Sequence, residues 1–428
     1  MSRAERSAPG PLRVGEVRGA EREKHGKPLE GLRVLAIEQM QALPYATQLL
    51  AHLGASVVKV EHPERGDSAR HSRPQIPDLD GTPTGATYLR NNLNKRSIGI
   101  DLKHPRGREL VLRLAPHFDA LAENFQAGGM DALGLGYAEL AARAPRLIYL
   151  SLSGFGNRDE SPYHGWPAYA PVAEAMAGLY EPTRRPGEPP PVVVAGALGD
   201  NGAALFSVIG LLSALIQRER SGVGQHVDVA MYDSMLALAD MVPFMWSVGE
   251  PISAATSGRT GIVAAFAARD GHFVIAIFRE HQFEALCRAI GHPEWPGDPR
   301  FATRELWAEN REALVRPAVE AWAREKSKLE ASHALCALGI PAGPSNFAQD
   351  IAADPHVALR NMLIEVERPD SSRPMLLVGN PVKMSGLAEG PVARFPRIGE
   401  HTGALLEELL QLRADELGEL RALGVISR

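Results

Sequence analysis

Short apolar runs alternate with helical patterns through the first 150 or so residues, and this alternation constrains the fold most. Five runs have the length and composition of strands, at 32–39, 56–63, 95–102, 119–125 and 146–156. The segments between them carry apolar residues at helical spacing. Strands that alternate with helices predict a parallel sheet covered on both faces. No G-x-G-x-x-G follows the first run, which argues against a dinucleotide fingerprint.

The pattern changes along the chain and predicts a split large domain. Residues 1–28 mix Arg, Lys and Glu without an apolar segment, so we predict a disordered tail rather than a secretory signal. Residues 29–240 form the first part of a large Rossmann-like α/β domain. Residues 241–340, with a hairpin predicted at Asp270-Gly271, form a smaller inserted α+β domain. Residues 341–428 supply a linker and the rest of the large domain.

Composition limits the partners of the chain. Its net charge is −5 and its pI about 6.3, and no basic stripe is interleaved with aromatics, so we expect no nucleic-acid partner. We also expect no membrane partner. Cys287 and Cys336 are the only cysteines and lie far apart, which fits a reducing, cytoplasmic setting. No Cys/His cluster has metal-ligand spacing, so we predict no metal.

One carboxylate stands out in a dry, small-residue setting. Asp200 lies between an apolar run and a long helical pattern in "VVVAGALGDNGAALFSVIGLLSALIQRERSGVG". With a helix expected near Asn201, Asp200 can simply be its N-cap. It can also be a nucleophile, because a carboxylate can attack an activated acyl group and a helix N-terminus favours its ionised form. Gly199 and Gly202 can either clear space for an acyl group or let a helix pack closely on its neighbours.

Longer stretches resemble a known family. They are "LEGLRVLAIEQMQALPYATQLLAHLGASVVKVEHPERGDSAR", "NKRSIGIDLKHPRGREL", "ENFQAGGMDALGLGY", "PRLIYLSLSGFG" and "GALGDNGAALFSVIGLLSALIQRERSGVGQHVDVAMYDSML". In these the chain is similar to the family III CoA-transferases, a family that includes the α-methylacyl-CoA racemases. The resemblance implies an interlocked homodimer and no tightly bound cofactor, with coenzyme A as a substrate moiety. It also implies that Asp200 attacks an acyl-CoA, forms an aspartyl anhydride and then an aspartyl-CoA thioester, and finally passes CoA to a carboxylic acid.

The same resemblance implies roles for further residues. Gln41 would polarise a substrate carbonyl, and Tyr169 would hydrogen-bond a substrate carboxylate. The coenzyme A contacts it implies are Met40, Ala42, His62, Arg96, Ile100, Asn124 and Phe125. Four of these residues also have an ordinary structural explanation: Ile100 and Phe125 as core, Arg96 as a surface ion pair, and Tyr169 as a half-buried tyrosine.

Departures from the family pattern leave alternatives open. Tyr169 stands where the racemases have a histidine, and tyrosine is a poor base near neutral pH, which argues against a racemase or isomerase. Ala170 replaces an acidic substrate contact. The glycine-rich lid of the formyl-CoA enzymes is reduced to "TSGRTGIV", where Gly258 and Gly261 can form a shorter lid. His62, Gln126 and Ala170 leave open a subunit of a heteromeric transferase.

Overall fold

The computed structural model describes residues 10–157, 161–193, 196–250, 252 and 260–428. They fall into two compact units. The large unit comprises Met1–Leu179, Val192–Asp240 and Pro355–Arg428, and the small unit comprises Tyr180–Pro191 and Met241–Asp354. The chain therefore enters the small unit twice, at residues 180–191 and 241–354, whereas the sequence analysis placed a single insertion at 241–340.

Secondary structure covers most of the described chain. The strands are β1 (Leu12–Arg13), β2 (Arg33–Ile37), β3 (Ser56–Glu61), β4 (Gln75–Pro77), β5 (Pro83–Gly85), β6 (Lys95–Gly99), β7 (Ala120–Glu123), β8 (Ile148–Ser153), β9 (His226–Ala230), β10 (Ile262–Ala268), β11 (Gly271–Ile277), β12 (Ala342–Pro344), β13 (Leu363–Arg368) and β14 (Ser371–Val378). The α-helices are α1 (Ala42–His52), α2 (Ala86–Asn91), α3 (Pro105–Leu114), α4 (Gly129–Ala132), α5 (Tyr137–Arg143), α6 (Ala170–Met176), α7 (Leu198–Ser221), α8 (Met231–Leu238), α9 (Met241–Ser247), α10 (Glu280–Ala289), α11 (Arg304–Glu309), α12 (Arg316–Ala323), α13 (Lys328–Cys336), α14 (Ala348–Ala353), α15 (Pro355–Leu359), α16 (Thr402–Leu410) and α17 (Ala414–Ala422).

A six-stranded parallel sheet forms the centre of the large unit and confirms the predicted α/β class. Its strand order is β6-β3-β2-β7-β8-β9. The chain winds outward from β2 to β6, then returns to β7 beside β2 and winds the other way to β9. The order therefore reverses between β2 and β7. Ligands of such sheets bind beyond the carboxyl ends of the strands at this reversal.

The N-terminal segment belongs to the fold, so the prediction of disorder is wrong for residues 10–28. β1 pairs in parallel with β13, with Leu12 opposite Ile364, and Leu12 is buried. The polar composition of the segment conceals this because a two-residue strand needs only one apolar side chain for the core. Its partner lies more than 300 residues later, so no local pattern indicates the pairing.

Helix α7 begins three residues earlier than predicted. It starts at Leu198, and its N-cap Ala197 has a left-handed backbone with φ 42°. Asp200 is therefore the third helical residue and not the cap. By length and composition alone α7 could cross a membrane. Its buried face, however, packs against α1, α6 and α8 as a core helix does.

The small unit is built on a three-stranded antiparallel sheet with helices. β10 and β11 form the predicted hairpin, but Ala268 pairs with Gly271, which places Arg269 and Asp270 in the turn. β12 pairs with β11, and this pairing keeps residues 342–344 in the small unit instead of a linker. Stacked aromatic rings, such as Phe283 on Trp307 at 4.4 Å between centroids, fill its core.

Candidate active site

The loop from β2 to α1 lies at the reversal of strand order and has a strained backbone. Met40 has φ 63°, a conformation that costs a residue with a side chain about 1–2 kcal/mol. Its N–H donates to Asp67 Oδ1 at 3.0 Å, and Asp67 pairs with Lys59 at 2.8 Å. Both charged side chains are buried. These polar partners hold Gln41, the next residue, as the N-cap of α1.

Two buried lysines hydrogen-bond to residues at both ends of the same loop. Lys59 Nζ donates to the carbonyl of Glu38 at 3.1 Å, and Lys95 Nζ donates to Glu38 Oε1 at 2.7 Å and to the carbonyl of Pro44 at 2.8 Å. Burial alone would lower the pKa of Lys59, but Asp67 and Glu38 outweigh it and raise that pKa. For Lys95 burial prevails and lowers the pKa to about 8. Buried charges are costly unless paired, so their concentration here marks a loop whose position matters.

Asn124 links the end of β7 to the loop after β2, the two neighbouring strands between which the strand order reverses. It follows β7, and its side chain accepts the N–H of Gln39 at 2.8 Å and donates to the carbonyl of Gln39 at 2.9 Å. A side-chain amide that satisfies both groups of one residue acts as one more rung of sheet pairing. Asn124 therefore contributes to the site through the position of the β2 loop.

The amide of Gln41 lies between a cation and the first turn of α7. Arg90 Nη2 donates to Gln41 Oε1 at 3.1 Å, and Gln41 Nε2 lies 3.4 Å from Asn201 Oδ1. The Arg90 contact fixes which end of the amide carries the N–H groups. The Gln41 N–H groups therefore point towards the helix turn that carries Asp200.

The carboxylate of Asp200 makes no hydrogen bond or ion pair with the described part of the chain. The first turn of α7 is capped instead by Glu174, a buried residue of α6 that accepts the N–H of Gly199 at 2.8 Å. The N–H of Asn201 goes to the carbonyl of Ala197. Asp200 is thus not needed as a cap, and its oxygens remain available for chemistry.

The surroundings of Asp200 raise its pKa from 3.8 to about 6. Burial is the largest cause and the negative charge of Glu174 adds to it, while Arg90 opposes both. The helix N-terminus therefore does not hold this pKa low, contrary to the sequence-based expectation. Near neutral pH the group is still mostly ionised, and its higher basicity makes the carboxylate a better nucleophile.

A cavity of about 350 Å³ opens beside Asp200. It lies beyond the carboxyl ends of β2, β7 and β8, at the position where this class of sheet binds ligands. Its walls are mostly apolar and amide side chains. The predicted site residues that line it are Met40, Gln41, Ala42, Asn124, Phe125, Tyr169 and Asp200.

A second cavity of about 430 Å³ adjoins the first and shares Gln39, Ser68 and Phe125 with it. Its lining combines apolar side chains such as Leu102 with charged ones, and it includes the predicted residues His62 and Ile100. His62 Nδ1 accepts the N–H groups of Glu64 and Arg65, so this nitrogen is not free for a ligand. Because the two cavities share three lining residues, an elongated ligand has space along both and can end at Asp200.

Arg96 is the predicted contact that lines neither cavity. Its guanidinium donates to Ser56 Oγ at 2.8 Å, and Ser56 begins β3, at the opposite end of the sheet from the cavities. Arg96 and Ile100 are four residues apart and point to the same face of β6, but Ile100 directly follows the carboxyl end of the strand, where the cavities lie, whereas Arg96 is near its start.

Four residues near the cavities were not predicted. Arg65 and Lys103 are exposed lining residues of the second cavity and form no ion pair with the described chain. Each follows a strand end by a few residues, and this spacing could have indicated them. Glu174 and Arg90 lie on helices far from Asp200 in sequence, so only the folded structure identifies them.

The small residues around Asp200 serve helix packing. A Cβ on Gly199 would lie 2.8 Å from Ala170 Cα, and one on Gly202 would lie 2.6 Å from Met235 Cε. Neither glycine lines the cavity beside Asp200. Of the expected lid, Gly258 lies outside the described residues. Gly261 is held at the start of β10 by a hydrogen bond from its N–H to the carbonyl of Arg304.

Comparison with known proteins decides the family. Residues 29–402 match the model of CoA-transferase family III. The chain belongs to this family. It is 37% identical over 385 residues to the succinyl-CoA:mesaconate CoA-transferase of Haloarcula hispanica, covering 89% of this chain and 96% of that protein. It is 32% identical over 426 residues to the formyl-CoA:oxalate CoA-transferase of a Bradyrhizobium species, covering 94% and 97%.

A solved structure of the family shares the fold. The crystal structure of a CaiB/BaiF family protein from Brucella suis superposes with a TM-score of 0.78 at 34% identity, covering 90% of this chain and 100% of that one. The chain is thus a family III CoA-transferase in sequence and in architecture.

Proposed function

We propose that the chain transfers CoA from an acyl-CoA donor to a carboxylic acid through covalent intermediates on Asp200. The observation that carries this proposal is the carboxylate of Asp200, which has no hydrogen-bond or ion-pair partner among the described residues and lies beside a cavity that shares lining residues with a second one. An extended thioester could lie along both, with its nucleotide in the second cavity and its reacting carbonyl at Asp200. Coenzyme A then acts as a substrate moiety, and no tightly bound cofactor is required.

The proposed reaction has four displacement steps. The Asp200 carboxylate attacks the thioester carbonyl of the donor, the C–S bond breaks, and CoA leaves as a thiolate. The thiolate attacks the Asp200 carbonyl of the mixed anhydride, which releases the donor acid and forms an aspartyl-CoA thioester. The acceptor carboxylate attacks this thioester and expels the thiolate. The thiolate finally attacks the acceptor acyl carbon, giving the new acyl-CoA and the free Asp200 carboxylate.

The neighbours of Asp200 have separate roles in this scheme. Gln41 Nε2 can donate to the oxygen that becomes negative in each tetrahedral intermediate, and Arg90 keeps that end of the amide facing the site. Tyr169 is 70% exposed at the rim of the cavity, where its hydroxyl can meet a substrate carboxylate. Arg65 and Lys103 supply positive charge for the phosphates of CoA.

The names of the relatives do not fix the acids. Mesaconate, oxalate and glutarate each occur in the name of a relative with 29–37% identity to the chain. We therefore propose an acyl-CoA donor and a carboxylic acid acceptor as the substrate classes. No observation favours the racemase or the heteromeric subunit over this reaction.

We further propose a cytoplasmic homodimer. An apolar row on the exposed face of α7, formed by Leu205, Ile209 and Ile216, is 50–61% exposed in the single chain. Rows of this kind on a folded chain are usually covered by a partner. Light scattering after size-exclusion chromatography would give the mass, and a monomer would contradict this part of the proposal.

One experiment tests the chemistry. The protein is incubated with acetyl-CoA or succinyl-CoA and hydroxylamine, and the peptide that carries Asp200 is examined by mass spectrometry. We expect a hydroxamate on Asp200, and none in Asp200→Asn. Transfer by Asp200→Asn at the rate of the unmodified protein would refute the nucleophile. Exchange of an α-proton with deuterated water in the absence of any acceptor acid would favour a racemase.

A further inference from the structure

The cavity beside Asp200 has an aromatic wall. Phe155, Trp166 and Tyr169 line it, together with the apolar side chains of Met40 and Met231. Trp166 is 54% exposed and Tyr169 is 70% exposed. Large aromatic side chains that stay exposed beside a reactive group are typical of ligand contacts.

The wall is held in place by a cluster of rings behind it. Tyr163 lies 4.9 Å from Trp166 and 5.3 Å from Phe155 between ring centroids, and Tyr232 lies 6.1 Å from Phe155. Gln126 donates to the carbonyl of Gly165, the residue before Trp166. Because this packing restrains the Trp166 ring, a substrate that stacks on it loses little free energy to ordering.

The charges of the cavity disfavour a second carboxylate on the substrate. Among the described lining residues Asp200 is the only charged one, and the other polar groups are amides, hydroxyls and backbone. The carboxylate of Glu174 lies close enough to raise the pKa of Asp200. Arg90 is not a lining residue, and it donates to Gln41 Oε1. Among the lining residues that the structure describes, a second carboxylate would therefore meet negative charge and no cation.

We propose that the acid exchanged at Asp200 is a monocarboxylic acid with an aromatic or bulky apolar body, and that Trp166 selects it by stacking. This inference rests on the proposed CoA transfer, since it concerns the acid that the same site accepts. It assigns Trp166 a role in specificity that is separate from the chemistry at Asp200.

The test compares three acceptors with acetyl-CoA as a common donor: 3-phenylpropanoate, butanoate and glutarate. We expect the highest kcat/KM with 3-phenylpropanoate. Trp166→Ala should lower this value about tenfold, because stacking is lost. The kcat/KM for butanoate should change by no more than about twofold, because the reacting groups remain. Trp166→Arg adds a cation to the cavity wall, so it should raise the kcat/KM for glutarate relative to that for 3-phenylpropanoate.

Trp246→Ala is the matched control, because Trp246 is 75% exposed on α9 and does not line the cavity. It should leave all three acceptors unchanged. A preference for glutarate in the unmodified protein, abolished by Asp200→Asn, would overturn the inference while CoA transfer stands. An equal fall in kcat/KM for butanoate and 3-phenylpropanoate in Trp166→Ala would show that Trp166 has a structural role, and it would also overturn the inference. Absence of both hydroxylamine trapping and transfer would refute the proposed function itself.

Discussion

The carboxylate of Glu174 accepts the backbone N–H of Gly199 at 2.8 Å, and Gly199 directly precedes Asp200. One buried acid therefore both caps α7 and places a negative charge near the proposed nucleophile. The two effects can be separated, because a glutamine keeps the oxygen acceptor and removes the charge. The pKa of Asp200, now about 6, should then fall towards its ordinary value of 3.8.

Glu174→Gln should shift the pH profile of transfer. In the proposed mechanism Asp200 reacts as a carboxylate, so kcat/KM for the donor should rise with pH through about 6 in the unmodified protein and level off above it. In the variant the rise should come at lower pH. The plateau should be lower as well, because a less basic carboxylate is a weaker nucleophile. Glu139→Gln, on the exposed face of α5, is the control. An unchanged acid limb would show that Glu174 does not act on Asp200.

Removal of the Asp200 charge should stabilise the protein. Because its folded-state pKa is raised, ionised Asp200 weakens folding increasingly as pH rises from about 4 to 6, and the loss is constant above that. The rise in this pKa from 3.8 to about 6 corresponds to at most about 3 kcal/mol of unfolding free energy. Asp200→Asn should therefore unfold at higher denaturant concentration than the unmodified protein at pH 8. At pH 4 the difference should be small. An equal difference at both pH values would contradict this origin.

The sequence predicts those parts of the site that depend on local pattern. The strands and the helix that carries Asp200 follow from apolar periodicity, and parallel strands bring their carboxyl ends to one edge of the sheet. His62 and Ile100 therefore line a cavity, whereas Arg96, at the far end of its strand, does not. Alternation along a strand shows which face of the sheet a side chain points to, but it does not show which end of the strand a long side chain reaches.

What the sequence could not show depends on residues distant along the chain. The cap of α7 comes from Glu174, 25 residues before the Gly199 N–H that it accepts, and from the sequence alone Asp200 is an equally reasonable cap. The αL backbone of Met40 depends on Lys59, which lies in β3, and on Asp67, which follows that strand. The strand at Leu12 depends on Ile364. Such pairings are products of the topology, and no spacing within one segment encodes them.

Arg65 and Lys103 should act on the nucleotide half of the donor. Arg65→Ala or Lys103→Ala should raise the KM for acetyl-CoA roughly tenfold with little change in kcat, because each removes a cation that lines the second cavity but not the cavity beside Asp200. The KM for the thioester of N-acetylcysteamine, which lacks the nucleotide, should not change. Arg288→Ala, an exposed change in α10, is the control. An equal rise in KM for both thioesters would show that Arg65 and Lys103 do not act on the nucleotide half of the donor.

The loop that carries Gln41 should depend on the buried ion pair below it. Asp67→Asn keeps the acceptor for the Met40 N–H but leaves Lys59 without its closest charge partner, at 2.8 Å. Loss of one member of a buried pair costs about 3–5 kcal/mol, so urea denaturation should show a large fall in the free energy of unfolding. The double change Asp67→Asn with Lys59→Met should recover part of that loss. A double variant no more stable than the single one would contradict the pairing.

Gly199 should be intolerant of a side chain for reasons of packing. An added Cβ would lie 2.8 Å from Ala170 Cα and 3.0 Å from the carbonyl oxygen of Ala170, so α6 and α7 would have to separate. Gly199→Ala should cost about 1–3 kcal/mol of unfolding free energy and lower kcat, because Asp200 moves with the first turn of α7.

Gly418 is the matched control, since it lies in α17 and a Cβ added there would meet no atom within 4 Å. Gly418→Ala should stabilise by about 0.5–1 kcal/mol, because alanine loses less conformational entropy in a helix than glycine. Equal stability changes in urea for the two variants would show that helix propensity, and not the contact with Ala170, governs position 199.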